Sequence, residues 1–105
     1  MNFSVLLSVY IKENPQYLSQ ALDSIINQSV QPSEIIIVKD GPLTKELDDI
    51  IDQYNKNYQF IQIVTLPNNL GLGKALNEGI KHCQYELIAR MDTDDILSLI
   101  VLKNN

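Results

Sequence analysis

The stretch FSVLLSVYIKENPQYLSQALDSIINQSVQPSEIIIVKD, residues 3–40, contains two apolar strands separated by an amphipathic helix. Residues 3–10 form a nearly continuous apolar run of strand formers, which is typical of a strand buried on both faces. Pro15 then opens a helix with Asn14 as its candidate cap. A second buried strand follows at residues 34–40. The helix that Pro15 opens is indicated by apolar residues at helical spacing, namely Leu18, Leu22, Ile25 and Ile26.

The same alternation continues along the chain, with a helix predicted at 42–57, a strand at 60–66, a helix at 72–83 and a strand at 85–91. Strands that alternate with helices of about a dozen residues form right-handed units in a parallel sheet. The sequence therefore predicts an α/β fold, a Rossmann-like parallel sheet of about four strands with three helices. Ligands of such sheets bind beyond the carboxyl ends of the strands, so functional residues are expected there.

Composition and charge limit the possible functions of the 105-residue chain, which is long enough for one domain with its own core. The formal net charge of −5 argues against nucleic acid as a partner. The single cysteine, Cys83, excludes an internal disulfide, favours a reducing cytoplasmic compartment and is predicted to be a buried packing residue. The apolar start of the chain meets Lys12 and Glu13 too early for a membrane span or signal peptide.

Four aspartates follow the predicted strand ends: Asp40 follows the second strand, and Asp92, Asp94 and Asp95 follow the fourth. Clustered carboxylates repel one another unless a cation lies between them. Mg²⁺ prefers oxygen ligands and completes its shell with water and substrate phosphates. The alternative is that Asp92 or Asp94 caps a following helix. Spacing alone leaves the metal site and the cap equally open.

Four motifs in this order resemble the N-terminal half of family 2 glycosyltransferases with the GT-A, or nucleotide-diphospho-sugar transferase, fold. The resemblance covers Ser4 to about Ile96. Within the family, the sequence is most similar to bacterial exopolysaccharide, capsule and lipopolysaccharide transferases of the amylovoran-biosynthesis type. The motifs are SVLLSVYIKENPQYLSQALDSIINQS, EIIIVKDGPL, NNLGLGKALNEGI and YELIARMDTDD.

The resemblance implies a role for individual positions. The loop after the first strand packs round the nucleotide base, which implicates Ser8 and Tyr10. The aspartate that closes the second strand contacts the base and falls on Asp40, where the Asp-Gly pair also favours a plain turn. The Asp-x-Asp motif falls on Asp92 as the ribose contact and on Asp94 as the ligand of Mg²⁺ or Mn²⁺, with Asp95 beside it.

The segment GLGKALN, residues 71–77, lacks the spacing of a Walker motif, so its glycines are expected to let the chain turn into the third helix. Many family members carry Arg where this chain has Leu76. The resemblance therefore implies either that a basic contact to the donor is missing or that Lys74 supplies it.

The implied activity is metal-dependent, inverting transfer of a sugar from a nucleotide-diphosphate donor, with UDP as the expected nucleotide, to a growing polysaccharide or lipid-linked acceptor. Catalytic base and acceptor site belong to the second half of such domains, so residues 1–95 are expected to be a donor-binding half that is inactive alone. The alternatives are a non-catalytic nucleotide-binding module and a nonfunctional gene fragment.

Residues 96–105 differ from the family pattern and form an atypical apolar tail, which we interpret as a frameshifted remnant followed by an early stop. Exposed sheet edges in a half-domain lead us to expect a homo-oligomer. The expected location is the cytoplasm, including peripheral association with the inner face of the plasma membrane.

Overall fold

The structure is a computed structural model that describes residues 2–91 and 99–102. Strands and helices alternate along the chain as the sequence predicts, with boundaries that move by a few residues. The elements are β1 (Ser4–Val9), α1 (Pro15–Asn27), β2 (Glu34–Lys39), α2 (Lys45–Asn57), β3 (Ile61–Thr65), α3 (Leu72–His82), β4 (Leu87–Met91) and β5 (Leu99–Leu102).

Two of the helix starts have side-chain caps. The Asn14 carboxamide oxygen accepts hydrogen bonds from the backbone amides of Gln16 and Tyr17, which confirms its predicted role at the start of α1. Helix α2 was predicted to begin at residue 42, but it begins at Lys45 because the Thr44 hydroxyl accepts the Leu47 amide at 3.2 Å and caps the helix there.

The strands form one sheet in the order β3-β2-β1-β4-β5. The pairs β1–β2, β2–β3 and β1–β4 are parallel, which confirms the predicted parallel sheet of four strands and three helices. The fifth strand was not predicted: β5 pairs antiparallel with β4, with Ala89 opposite Ile100. Residues 99–102 of the expected atypical tail thus extend the sheet, while the frameshift interpretation stays a prediction.

The core has two layers, one on each face of the sheet. Val5, Leu7 and Val9 of β1 pack toward α1 and α2, whereas Leu6 packs on the opposite face toward α3. Strands buried on both faces explain the near-continuous apolar runs of β1 and β2. Cys83 is 2% exposed and belongs to the α3 layer, which confirms its predicted packing role.

Helix α3 lies very close to the sheet. A Cβ atom added at Gly79 would lie 2.4 Å from Leu6 Cδ1 and 2.8 Å from Val38 Cγ2, so glycine allows this approach. The segment after α3 is held by Glu34, whose Oε2 accepts the Gln84 amide and the Ser4 hydroxyl, each at 2.5 Å. Glu34 is 6% exposed, and these two bonds give Oε2 of its buried carboxylate two donors.

No helix within the described ranges is long and apolar enough to cross a membrane.

Candidate functional site

The strand order reverses at β1. The chain passes from β1 to β2 and β3 on one side, and then crosses by α3 to β4 on the other side of β1. Helix α3 lies on the face opposite α1 and α2. In open parallel sheets, the crevice at the carboxyl ends of the two strands flanking such a reversal is the usual ligand site. The carboxyl ends of β1 and β4 therefore mark the candidate site.

Two predicted base-contact residues lie at the end of β1. Ser8 is half-buried on the α3 face, since it lies two residues after Leu6 and pairs with Val38, both in the α3 layer. Tyr10 is 41% exposed just beyond the strand, and its carbonyl accepts the Glu13 amide at 3.0 Å in a tight turn. A half-buried hydroxyl and an exposed aromatic ring are thus brought to the same edge.

Asp40 follows β2 at this edge and is only 3% exposed. Its Oδ1 accepts the Leu70 amide at 2.7 Å, and its Oδ2 accepts the Gly71 amide at 3.1 Å. Both amides lie in the loop that leads into α3, and the N-cap residue of that helix, Gly71, has no side chain that could cap it. The buried carboxylate therefore ties the end of β2 to the start of α3 and places negative charge near the positive end of that helix.

Gly41 allows the same loop to lie against the end of β2. Its φ is +89°, and an added Cβ would lie 2.6 Å from the backbone nitrogen of Asn69. A side chain here would be strained in the backbone and would also displace the loop. The expected Asp-Gly turn is present, and its partner loop, which lies about thirty residues later in the chain, was not predicted.

The cations near this edge point in different directions. Lys39 faces α2, where its Nζ lies 3.1 Å from Asp48 Oδ1. Lys74 is exposed on α3 and lines a groove of about 540 Å³ with Leu70, Asn77, Glu78, Ile80 and Lys81. Leu76 is 7% exposed in the α3 layer of the core. Residues two apart on a helix are separated by about 200°, so Lys74 does not take the direction of Leu76.

Arg90 is a candidate site residue that the sequence analysis did not single out. It is the penultimate residue of β4 and is half-buried. Ile88 belongs to the α3 layer and both Ala89 and Met91 belong to the opposite layer, so Arg90 faces α3. The signal in the sequence was a lone cation within an otherwise apolar strand.

The predicted ribose contact Asp92 and the predicted metal ligands Asp94 and Asp95 lie outside the described residues. Strand β4 ends at Met91, so the acidic motif follows directly from the carboxyl edge. Carboxylate oxygens are the donors that Mg²⁺ and Mn²⁺ prefer, and the motif fits them in its chemistry. Within residues 2–91 no other group of three or more His, Cys, Asp or Glu could hold a metal ion.

Comparison with known proteins identifies the family. The sequence model of Glycosyl transferase family 2 matches residues 4–103, and the chain belongs to that family. It is 48% identical over 94 residues to the UDP-Gal:alpha-D-GlcNAc-diphosphoundecaprenol beta-1,3-galactosyltransferase of Escherichia coli, covering 90% of this chain and 34% of the relative. It is 47% identical to the amylovoran biosynthesis glycosyltransferase AmsE of Erwinia amylovora, covering 90% and 35%. The chain thus spans about a third of the length of these relatives, and the predicted resemblance is confirmed.

Solved structures confirm the GT-A fold. Staphylococcus aureus TarS 1-349 in complex with UDP-GlcNAc is 28% identical, with a TM-score of 0.76 over 91% of this chain and 27% of that chain. The mannosyltransferase PcManGT from Pyrobaculum calidifontis, in complex with GDP-Man and Mn²⁺, has a TM-score of 0.77 at 19% identity over 90% and 28%. At that identity the second likeness concerns the fold alone.

Proposed function

We propose that this family 2 chain binds a nucleotide-diphosphate sugar, with UDP as the nucleotide, at the carboxyl edge between β1 and β4. The whole protein would transfer the sugar to a growing polysaccharide or lipid-linked acceptor, with a divalent cation and with inversion at the anomeric carbon. Transfer is assigned to the whole protein because the relatives are about three times longer than this chain.

One observation carries the proposal. The ends of β1 and β4 flank the strand-order reversal, the loop tied by Asp40 lies at the end of the next strand, β2, and the acidic motif follows β4 directly in the sequence. This is the crevice in which open α/β sheets bind ligands. The name of the E. coli relative specifies a UDP-sugar donor and a lipid diphosphate acceptor, and TarS was solved with UDP-GlcNAc.

Different residues of the chain would bind different parts of the donor. Ser8 and Tyr10 contact the base, and the exposed Tyr10 ring offers it a stacking surface. Asp40 holds the loop with both carboxylate oxygens, and each oxygen keeps a lone pair with which it could accept a base N–H. Lys74 approaches the donor from the start of α3, and Asp92 accepts the ribose hydroxyls.

Charge determines the chemistry of the transfer. Breaking the bond between the sugar and the diphosphate develops negative charge on the leaving oxygens and an oxocarbenium-like sugar. A bound Mg²⁺ or Mn²⁺, held by Asp94 and Asp95, would supply Lewis-acid stabilisation of that charge. Inversion requires a base that deprotonates the acceptor hydroxyl, and none of the residues assigned to the donor is given that role.

Calorimetric titration of the 105-residue chain with UDP, with and without Mn²⁺, tests the proposal. We expect Mn²⁺-dependent binding that Asp94→Ala abolishes and that Asp52→Ala leaves intact, because Asp52 is an exposed residue on α2. A folded chain that binds no UDP in Mn²⁺ would contradict the proposal.

We further propose that the protein acts in the cytoplasm at the inner face of the plasma membrane, where a lipid-linked acceptor would be available. The homo-oligomer remains a prediction. Light scattering that shows only monomer at high concentration would contradict it.

A further inference from the structure

Arg90 is a half-buried cation on the α3 face of β4, and no anion in the described part of the chain pairs with it. Its Cα partner on β1 is Leu6, and its neighbour two residues earlier is the buried Ile88. The ion pairs of the described residues join Lys39 to Asp48, Lys45 to Asp49 and Lys81 to Glu78. The Arg90 guanidinium also makes no hydrogen bond within residues 2–91.

A guanidinium in this setting favours an anionic partner. It stays charged at every accessible pH, and its planar fork of five N–H donors matches the paired oxygens of a phosphate or carboxylate. Partial burial makes a missing partner unfavourable, because the charge loses water without gaining a counter-charge. Arg90 is therefore suited to an anion that arrives from outside the described residues.

The position of Arg90 indicates which anion this is. It is the second-last residue of β4, one of the two strands that flank the strand-order reversal. It lies on the same face as Ser8, which follows Leu6 by two residues on the neighbouring strand. The base-contact side of the proposed site and Arg90 thus share one face of the sheet on adjacent strands, with Arg90 opposite Leu6 and Ser8 two residues further along β1.

Arg90 is also the only cation that strands β1–β4 direct to the α3 face. Lys39, the other strand cation in this region, faces α2 and is paired with Asp48. Lys74, the proposed donor contact, is exposed on α3 and is not carried by the sheet. A diphosphate in the crevice would therefore contact the Arg90 side chain on the α3 face of the sheet.

We propose that Arg90 binds the diphosphate of the nucleotide-sugar donor through its guanidinium. This inference rests on the proposed function, and it adds a binding residue from β4 that acts independently of the acidic motif. The ligand class it selects is a nucleoside diphosphate, since a nucleoside without phosphates offers the guanidinium no negative partner. Charge-assisted bonds of this kind are among the strong ones.

NMR titration of the labelled 105-residue chain in Mg²⁺ tests the inference with UDP, uridine and inorganic pyrophosphate as separate probes. We expect Arg90→Met to weaken UDP and pyrophosphate binding by roughly tenfold to a hundredfold, and to leave uridine binding unchanged. Arg90→Lys keeps the charge but loses the fork, so it should fall between Arg90→Met and the parent chain. Lys56→Met, an exposed charge in the last turn of α2, is the matched control and should change nothing.

Other outcomes overturn the inference. Equal losses for UDP and uridine would assign Arg90 a structural role, and unchanged UDP binding would exclude the contact. A changed affinity for Mg²⁺ alone would mean that Arg90 acts through the metal ligands instead. If the parent chain binds pyrophosphate in an Arg90-dependent way but not UDP, the anion site stands and the proposed nucleotide function fails. If it binds neither probe, both fail.

Discussion

Strand β2 is followed at one end by Asp40 and begins at the other with Glu34, and both carboxylates are buried. They use their oxygens differently. Asp40 accepts one loop amide on each oxygen, whereas Glu34 accepts both of its donors on Oε2 alone. An isosteric amide has one accepting oxygen, so Asp40→Asn must turn its NH₂ toward an amide donor, while Glu34→Gln can keep both bonds.

This difference predicts unequal losses of stability at equal change of charge. Hydrogen bonds to charged groups contribute about 1.5–3 kcal/mol, and an unsatisfied buried donor costs about 1–3 kcal/mol. The loop that contains the exposed Leu70 can recover some hydration, so we expect Asp40→Asn to lose about 2 kcal/mol. For Glu34→Gln the loss is the charge assistance alone, which we expect to be below about 1 kcal/mol.

Urea unfolding followed by far-ultraviolet circular dichroism measures both variants, and the chain has no tryptophan that could report by fluorescence. A shift of the midpoint at constant slope shows that stability, and not the compactness of either state, has changed. Hydrogen exchange should also accelerate selectively at Leu70 or Gly71 in Asp40→Asn. If Glu34→Gln lost as much stability as Asp40→Asn, the oxygen-by-oxygen account of these sites would be refuted.

Three further predictions concern the packing of α3, the titration of Tyr54 and the turn after β2. Gly79→Ala should lose about 1–3 kcal/mol of unfolding free energy by overpacking Leu6, whereas Gly73→Ala, with nothing within 4 Å, should be neutral or stabilising; equal effects in urea unfolding would contradict the close contact. Burial and the hydrogen bond to Asp23 raise the pKa of Tyr54 from 10.0 to about 12. This stabilisation is complete below pH 10 and is lost as the pH rises toward 12, so ultraviolet titration should show a late tyrosinate component that Tyr54→Phe removes. Gly41→Ala combines a left-handed φ with a clash against the loop, so its melting temperature should fall further than that of Gly79→Ala, and a smaller fall would argue that the loop moves freely.

The fold was largely predictable from local signals. Apolar runs with β-branched residues define β1 and β2, and Asn14 with Pro15 defines the start of α1, because each signal is contained within a few neighbouring residues. The fifth strand was not predictable in this way. The short run at 99–102 becomes a strand by antiparallel pairing with β4, and that pairing depends on where β4 lies in the finished sheet.

The site was predictable in position but less so in function. The carboxyl edge followed from the topology, and it brought Ser8, Tyr10 and Asp40 together as expected. The two loop amides that Asp40 accepts lie about thirty residues later, so no local pattern could indicate them. Arg90 was overlooked for a related reason: its importance comes from the absence of a partner among the described residues, and absence of a partner is a property of the folded arrangement.

Strand β1 lies in the middle of the sheet, and its two neighbours are made at very different times during synthesis. The register pairs Ser4 with Glu34 on one side and with Ile88 on the other. Chains are made at about 5–20 residues per second, so one edge of β1 waits several seconds for β4 after β2 has been made. During that interval β1, β2 and β3 present an open, uncharged edge that other nascent chains can pair with. The arrangement that creates the crevice at the strand reversal therefore also leaves the newborn chain open to edge-to-edge pairing, and slowing the translation of residues 40–88 should increase its aggregation.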